Sequence, residues 1–593
     1  MSSVALLLYL PFVGAGIALI GKVFLPDTGR SGWIVALPAV FLPLAGMTAF
    51  LVVTIEPVVT GGAIDRLLGS WNEAVAITMR LDGTAWLSTA LVVVITGTAA
   101  LSALGSGEYG PRFYFFVMML VAGMQTVVLT GDVFTMFVGF EIIAIAAYVL
   151  IAFDQTDQGL LASLKYLILS SVGIIFFLFG VFLVYRHFGT LSLFAVEERI
   201  AAGDGGDLIV VRLAVVALVV GIGVRTAFIP FHTWLPEAHA YAPHPISAIL
   251  SGVLIKVSFF AMVRVLAIFG ADYLMPTLMW IGGITAVTAV IWALAQTDAK
   301  RLLAYHSISQ MGYVLAAFGA AGVLSLPASF YHAINHAFFK SLLFLAVGTM
   351  IHMQHQRNLF RIVPVGRRAP LLAILYGVGA MSIAGIPPFN GYVSKQIVTY
   401  ALEGPVGSAA AGGGVSILLS IAAIGTVASF LKLSRIAMPG APPHREETVP
   451  AEGDRGDVGN PADDSGAISR AANVAVYLPL VVLAILSLGS GIFGRYVVEA
   501  LGVFLNRAVA VTPGAGISVS VAEVLPIPAT FYSGSKAIQT IVTVVAGYAL
   551  YRVVVTRRVK HAAHVLQRLT PDIRIVLVMF IAGLGVFSVI ATL

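Results

Sequence analysis

The chain has 593 residues, of which 59% are apolar and only 10% charged, and its mean hydropathy is +0.97. This composition excludes a soluble globular fold, because stretches of about twenty apolar residues, each long enough to cross a bilayer, recur throughout. With no cysteine, disulfides, cysteine-ligated iron–sulfur clusters and thiolate catalysis are excluded within the chain, and a formal charge of +6 gives no case for nucleic acid.

Window hydropathy predicts an all-α polytopic membrane protein with about sixteen spans. They lie near 4–24, 31–55, 83–104, 111–130, 133–153, 160–185, 209–229, 244–269, 273–296, 301–322, 327–353, 370–401, 412–437, 471–494, 536–556 and 575–592. The opening MSSVALLLYLPF has no basic residue before its apolar run, so it reads as a first span and not a cleaved signal. The semi-polar stretch 56–82 is expected on the surface, 438–470 reads as a flexible linker, and 497–535 as a connection that is not one continuous helix. With the N-terminus outside, about twenty Lys and Arg fall on the cytoplasmic side and about nine opposite, which predicts that both termini lie outside.

Once the basic residues near span ends are assigned to the two faces, five remain within the predicted spans: Lys165, Arg225, Lys256, Lys340 and Lys395. Glu141 is the one acid placed well inside. An unpaired charge in hydrocarbon costs at least ~2.5–3.5 kcal/mol, and five cations cannot all pair with one carboxylate. Some must be hydrated, or neutral for part of the time, which a buried lysine achieves because burial disfavours its charged form. Lys165, near a helix start, has the plainer reading of a side chain that snorkels to the interface. His332 and His336 share a helix face with Lys340 four residues on. Their spacing also suits a metal, but no third ligand is near in sequence, so a proton relay or a bonded core pair is expected and no metal.

Residues 225–264 hold four prolines (Pro230, Pro236, Pro243, Pro245) interleaved with His232, His239 and His244, between an apolar helix carrying Arg225 and another carrying Lys256. Proline interrupts helical bonding, and irregular backbone at membrane depth is tolerated only inside protein or beside a wet cavity. His232 and His244 can equally cap the broken backbone. A second interruption, Gly385, Pro387, Pro388 and Gly391, precedes Lys395. The interrupted spans are the seventh and the twelfth, and an odd spacing of five predicts two repeats inverted in the membrane. The expected division is 1–110 (helices 1–3), 111–270 (first repeat, helices 4–8), 271–437 (second repeat, helices 9–13), the linker 438–470, and 471–593 (helices 14–16).

Glu141 in its apolar helix, LKYLILSS at 164–171, FIPFHTWLPEAHAYAPHPISAILSGVLIK at 228–256, TDAKRLLAYHSISQMGYVLA at 297–316, NHAFFKSLLFL at 335–345 and GIPPFNGYVSK at 385–395 occur in one order. In these pieces the chain resembles the antiporter-like subunits of Mrp-type Na⁺/H⁺ antiporters, respiratory complex I and membrane-bound hydrogenases, and most of all the Mrp D subunit or its hydrogenase-associated relatives. The resemblance implies a fourteen-helix core with two inverted five-helix repeats, in a prokaryotic inner membrane, alongside other subunits of an antiporter or redox complex. It also implies a mid-membrane proton route. Glu141 would modulate a neighbouring lysine, Lys256 would relay, His332, His336 and Lys340 would connect, and Lys395 would be the end point. Arg225 departs from the family, which usually has lysine there. A guanidinium stays protonated, so Arg225 would pair with Glu141 and set the field felt by Lys256 without carrying a proton.

The sequence thus predicts a proton-translocating antiporter-like subunit, moving protons and in some complexes Na⁺ across the lipid bilayer. A redox-driven pump module of a hydrogenase or complex I relative is the alternative, to be separated by the companion subunits. A stand-alone solute symporter would instead show a substrate-sized pocket at the breaks, and a non-conducting scaffold would not need so many intramembrane charges. Nothing resembles a nucleophile–base pair or a cofactor loop, so neither an enzyme site nor a cofactor is expected.

Overall fold

Helices in this chain start where a short polar side chain satisfies an otherwise free backbone N–H. Asp82 accepts from the Ala85 amide at 2.8 Å, Asp132 from Thr135 at 2.6 Å and Asp298 from Arg301 at 2.9 Å. The computed structural model describes residues 4–68, 77–203, 208–403, 409–438, 470–506 and 533–555. The predicted span 575–592 and nearly all of the linker 438–470 lie outside them.

In chain order, α1 is Val4–Phe24, and α2 (Gly29–Ala36) runs through a π-helical turn into α3 (Leu42–Gly61). Strands β1 (Ala63–Leu68) and β2 (Ile77–Asp82) follow, then α4 (Gly83–Ser106), α5 (Pro111–Leu129), α6 (Val133–Ile151), α7 (Asp157–Phe188) and the short α8 (Leu193–Ala201). The seventh span is broken into α9 (Leu208–Thr226) and α10 (Trp234–Tyr241). The eighth is α11 (His244–Ile249), a π-helical turn at Leu250–Leu254, and α12 (Ile255–Ile268). Then come α13 (Met275–Ala295), α14 (Ala299–Gly319) and α15 (Ser325–His352), followed by the broken twelfth span, α16 (Pro370–Ala384) and α17 (Asn390–Glu403). The described chain closes with α18 (Ala409–Leu433), α19 (Arg470–Ile492), α20 (Gly494–Asn506) and α21 (Gly534–Val555).

Among the described residues, thirteen helices are long and apolar enough to cross a membrane. Both predicted breaks are present. α14 is not one of the thirteen, for a physical reason: it carries Lys300, His306, Ser307, Ser309 and Gln310, and all of them are buried. Other helices, not lipid, surround it, so its sequence need not be apolar. It packs against α13 and α15, and α15 in turn packs against α16, α17 and α19.

One expectation needs correction. The stretch 56–82 is no simple surface segment: β1 and β2 pair antiparallel from Ala63↔Asp82 to Leu68↔Ile77, and Met79 and Leu81 are buried. The alternation Ile77, Met79, Leu81 is the two-residue period of a half-buried strand. Within 497–535, residues up to Asn506 belong to the helix α20, and 507–532 lie outside the described residues.

Candidate functional site

The predicted charges fall into two groups once folded. The first sits beside the break between α9 and α10. Arg225, at the end of α9, points one Nη at Glu141 on α6, 3.4 Å away, with its guanidinium 4.9 Å from the Phe140 ring centre. Its other Nη has no hydrogen-bond partner among the described residues. Arg225 is buried, whereas the Glu141 side chain is 38% exposed on the flank of this chain. Lys165 does not snorkel freely: it pairs at 2.7 Å with Glu237 of α10, which Arg301 also approaches at 3.8 Å. Glu237 was missed because it follows the break and counts in no apolar window.

The second group is central and has no acids. Lys256, Lys340 and Lys395 form no ion pair among the described residues. Lys256 donates to the carbonyl oxygen of Ser251, Lys340 to that of Leu303, and Lys395 to that of Ile383 at 2.6 Å. Local sequence supplies the acceptors for two of them. The π-helical turn at Leu250–Leu254 disturbs regular bonding around Ser251, and the break after Ala384 frees carbonyls at the end of α16. Gly385 is left-handed there, with φ +75°, a conformation that glycine adopts without strain, and it packs beside the Lys395 stem. An ammonium has three donors, and each lysine uses one on these carbonyls.

Lys256 and Lys340 are joined by residues that the apolar spans concealed. Ser251 Oγ and Ser307 Oγ lie 2.7 Å apart, and Ser307 donates to the Leu303 carbonyl oxygen at 3.3 Å, the same atom that receives Lys340. From Lys340 the row continues along α15. His336 lies among Lys256, Lys340, His332 and His239. His332 and His336 are nearly parallel, with ring centres 6.5 Å apart, and His332 Nδ1 lies 3.0 Å from Ser394 Oγ, beside Lys395. Tyr313 fills the angle between them, its ring 5.5 Å from His332 and 5.3 Å from Lys395 Nζ.

The accessory histidines separate. His232 stacks on Trp292 at 4.9 Å, and His244 lies 6.3 Å from His352, both away from the row. His239 belongs near it, since its ring and Lys340 Nζ each lie 5.3 Å from Phe344. His306, unnoticed in the sequence, is buried on α14. Neither ring nitrogen of His239, His306 or His336 has a hydrogen-bond partner within the described chain, and neither side-chain amide atom of Gln310 has one. Buried polar atoms of this kind are served by ordered water. Lys340 is a charge that bears on Lys256.

A polytopic helical bundle with two broken spans and a central row of lysines without ion-pair partners among the described residues defines an antiporter-like membrane protein. The comparisons agree. Residues 130–410 match the family described as NADH:quinone oxidoreductase/Mrp antiporter, TM. The chain is similar to the N subunit of the NADH-quinone oxidoreductase of Desulforudis audaxviator (strain MP104C), 32% identical over 59% of this chain and 72% of that protein. It is similar also to the D subunit of the Na(+)/H(+) antiporter of Bacillus subtilis (strain 168), 29% identical over 58% of this chain and 70% of the relative. Its fold matches a chain of the Mrp complex from Dietzia sp. DQ12-45-1b, with a TM-score of 0.72, 24% identity and coverage of 86% of this chain and 98% of the other. The chain belongs to the NADH:quinone oxidoreductase/Mrp antiporter transmembrane family.

Proposed function

We propose that this chain is a proton-translocating subunit of a multi-subunit Mrp-type cation/proton antiporter. Protons pass along Lys256, Lys340, His336, His332 and Lys395, while Glu141 and Arg225 act as a charge pair at the flank and do not hand protons on. The observation that carries the reading is the full burial of Lys256 and Lys340, with Lys395 half-buried at the end of the row, and no carboxylate beside any of the three among the described residues. A permanently charged ammonium there costs several kcal/mol, whereas one that is neutral for part of a cycle is a carrier. The serine pair between Lys256 and Lys340 supports transfer, because a hydroxyl both donates and accepts.

In this reading residues 111–270 and 271–437 act as two inverted copies joined at α15, and the N-terminus faces outside. The likeness to the D subunit of an Na(+)/H(+) antiporter supports the Mrp assignment. The likeness to a component of an NADH-quinone oxidoreductase favours a second reading, a pump module driven by redox chemistry in another chain. Purification of the intact complex from its native membrane tests both. Companions that are antiporter subunits alone support the first, iron–sulfur or flavin proteins support the second, and isolation as a single chain with full solute transport overturns both.

A further inference from the structure

The helix α21 lies beyond the fourteenth span and is exposed or half-buried along its length, Gly547 being its one buried residue among those described. It is nevertheless held at two points. At Gly547 a Cβ would stand 2.6 Å from Val427 Cβ and 3.0 Å from the Ile424 carbonyl oxygen, so only glycine lets α21 lie this close to α18. In its first turn, Lys536 Nζ sits 5.3 Å over the Tyr400 ring of α17.

Between these anchors, Gln539, Thr540 and Thr543 of α21 form one wall of a cavity of about 80 Å³, whose other walls include Lys395, Thr399 and Ser420. At roughly 10–15 Å³ per water this is room for about five to eight. The hydroxyls share a bonding pattern. Thr399 donates to the Lys395 carbonyl oxygen at 3.1 Å, Ser420 to Ser416 at 3.0 Å, Thr540 to Lys536 at 2.9 Å and Thr543 to Gln539 at 2.9 Å. Each hydroxyl has spent its only proton on its own helix, so it faces the cavity as an acceptor. A lysine at the base of a cavity rimmed by acceptors suits water that receives and removes a proton. An apolar wall would leave the same space dry.

We propose that α21 is the outer wall of a water-filled mouth through which Lys395 exchanges protons with one side of the membrane. This rests on the reading of Lys395 as the end of the proton route. In this proposal the mouth opens toward the end of α17 and the starts of α18 and α21. That is the side carrying the β1–β2 hairpin, since both follow an even number of spans.

Two measurements on the complete complex test it. The first compares proton-coupled transport in Lys395→Ala with that in Gln539→Leu/Thr540→Val/Thr543→Val, which keeps side-chain volume but removes the acceptors. The expected result is no transport in the former and at least a tenfold loss in the latter, with chain levels in the membrane unchanged. Normal transport in the triple variant beside an inactive Lys395→Ala overturns the role of α21 and leaves the proposed function standing, whereas normal transport in Lys395→Ala overturns that function itself. The second needs no altered α21. The chain has no native cysteine, so Ser420→Cys supplies its only thiol. A membrane-impermeant methanethiosulfonate reagent should label it from the hairpin side alone. Absence of labelling from either side, or labelling from the opposite side only, overturns the proposal.

Discussion

Lys256→Arg is the sharpest test of the central lysines, because it keeps the charge and removes only the ability to release a proton. Lys256 is fully buried, hydrogen-bonds the Ser251 carbonyl oxygen and feels Lys340 as its charged neighbour. Arginine holds its proton more tightly than an ordinary lysine, by roughly two to three and a half pKa units. In one and the same environment, arginine therefore costs about 3–5 kcal/mol more to deprotonate. If release from this position occurs in each cycle, the rate should fall by about 10²- to 10³-fold. The assay is dye-reported proton movement into vesicles bearing the assembled complex, with the amount of assembled chain measured in parallel. Arg225→Lys serves as the counterpart and should transport normally, because that position supplies positive charge and no proton. Full activity in Lys256→Arg would show that Lys256 is a permanent charge and that protons bypass it through water.

Three further outcomes are expected. Glu141→Gln should lose transport and lower the thermal midpoint of the complex, by less than the ~3–5 kcal/mol of a fully buried broken pair, because the Glu141 side chain is 38% exposed; restored stability in Glu141→Gln/Arg225→Gln, without restored transport, would separate the two effects. Ser307→Ala removes the hydroxyl between Ser251 and the Leu303 carbonyl, so transport should slow while stability changes by no more than about 1 kcal/mol; an unchanged rate would rule out the serine pair as the link. Asp82→Asn weakens the clamp in which Arg264 reaches Asp82 at 2.9 Å and the Val128 carbonyl at 2.6 Å, and thermal unfolding should show the loss even where transport persists.

What could be read in advance followed from energetics that are local in sequence. A twenty-residue apolar run, a Pro/Gly break and a lysine inside a span are each visible in a short window, and so Arg225, Lys256, Lys340, Lys395 and both broken helices were legible. The partners were not. Glu237 and Asp82 sit just past span ends, where acids are unremarkable, yet they bind Lys165 and Arg264. Ser251, Ser307 and Tyr313 are ordinary in any helix, and only the approach of α14 to the π-helical turn and to α17 gives them a role. His232 shows the converse: a histidine amid prolines draws attention, but it stacks on Trp292 and stays apart from the lysines.

The arginine at 225 fits the separation of the two charge groups. Were Arg225 in the central row, its permanent charge would lie in the path of every proton and its lack of an exchangeable proton would stop transfer. It lies instead against Phe140 and Glu141, and Lys340 is a charge that bears on Lys256. In the proposed function, a rearrangement of Glu141 is expected to reach Lys256 through the break between α9 and α10. Trp234 Nε1 ties the start of α10 to the Val224 carbonyl of α9 at 2.7 Å, and Lys165 holds α10 through Glu237. Loosening Arg225 from Glu141 frees the end of α9, and with it the short segment that leads through α10 to the π-helical turn beneath Lys256. If the flank charge pair moves the broken helix and the central lysines respond, the proposed function requires a positive charge at 225 and a releasable proton at 256, which Arg225→Lys and Lys256→Arg test directly.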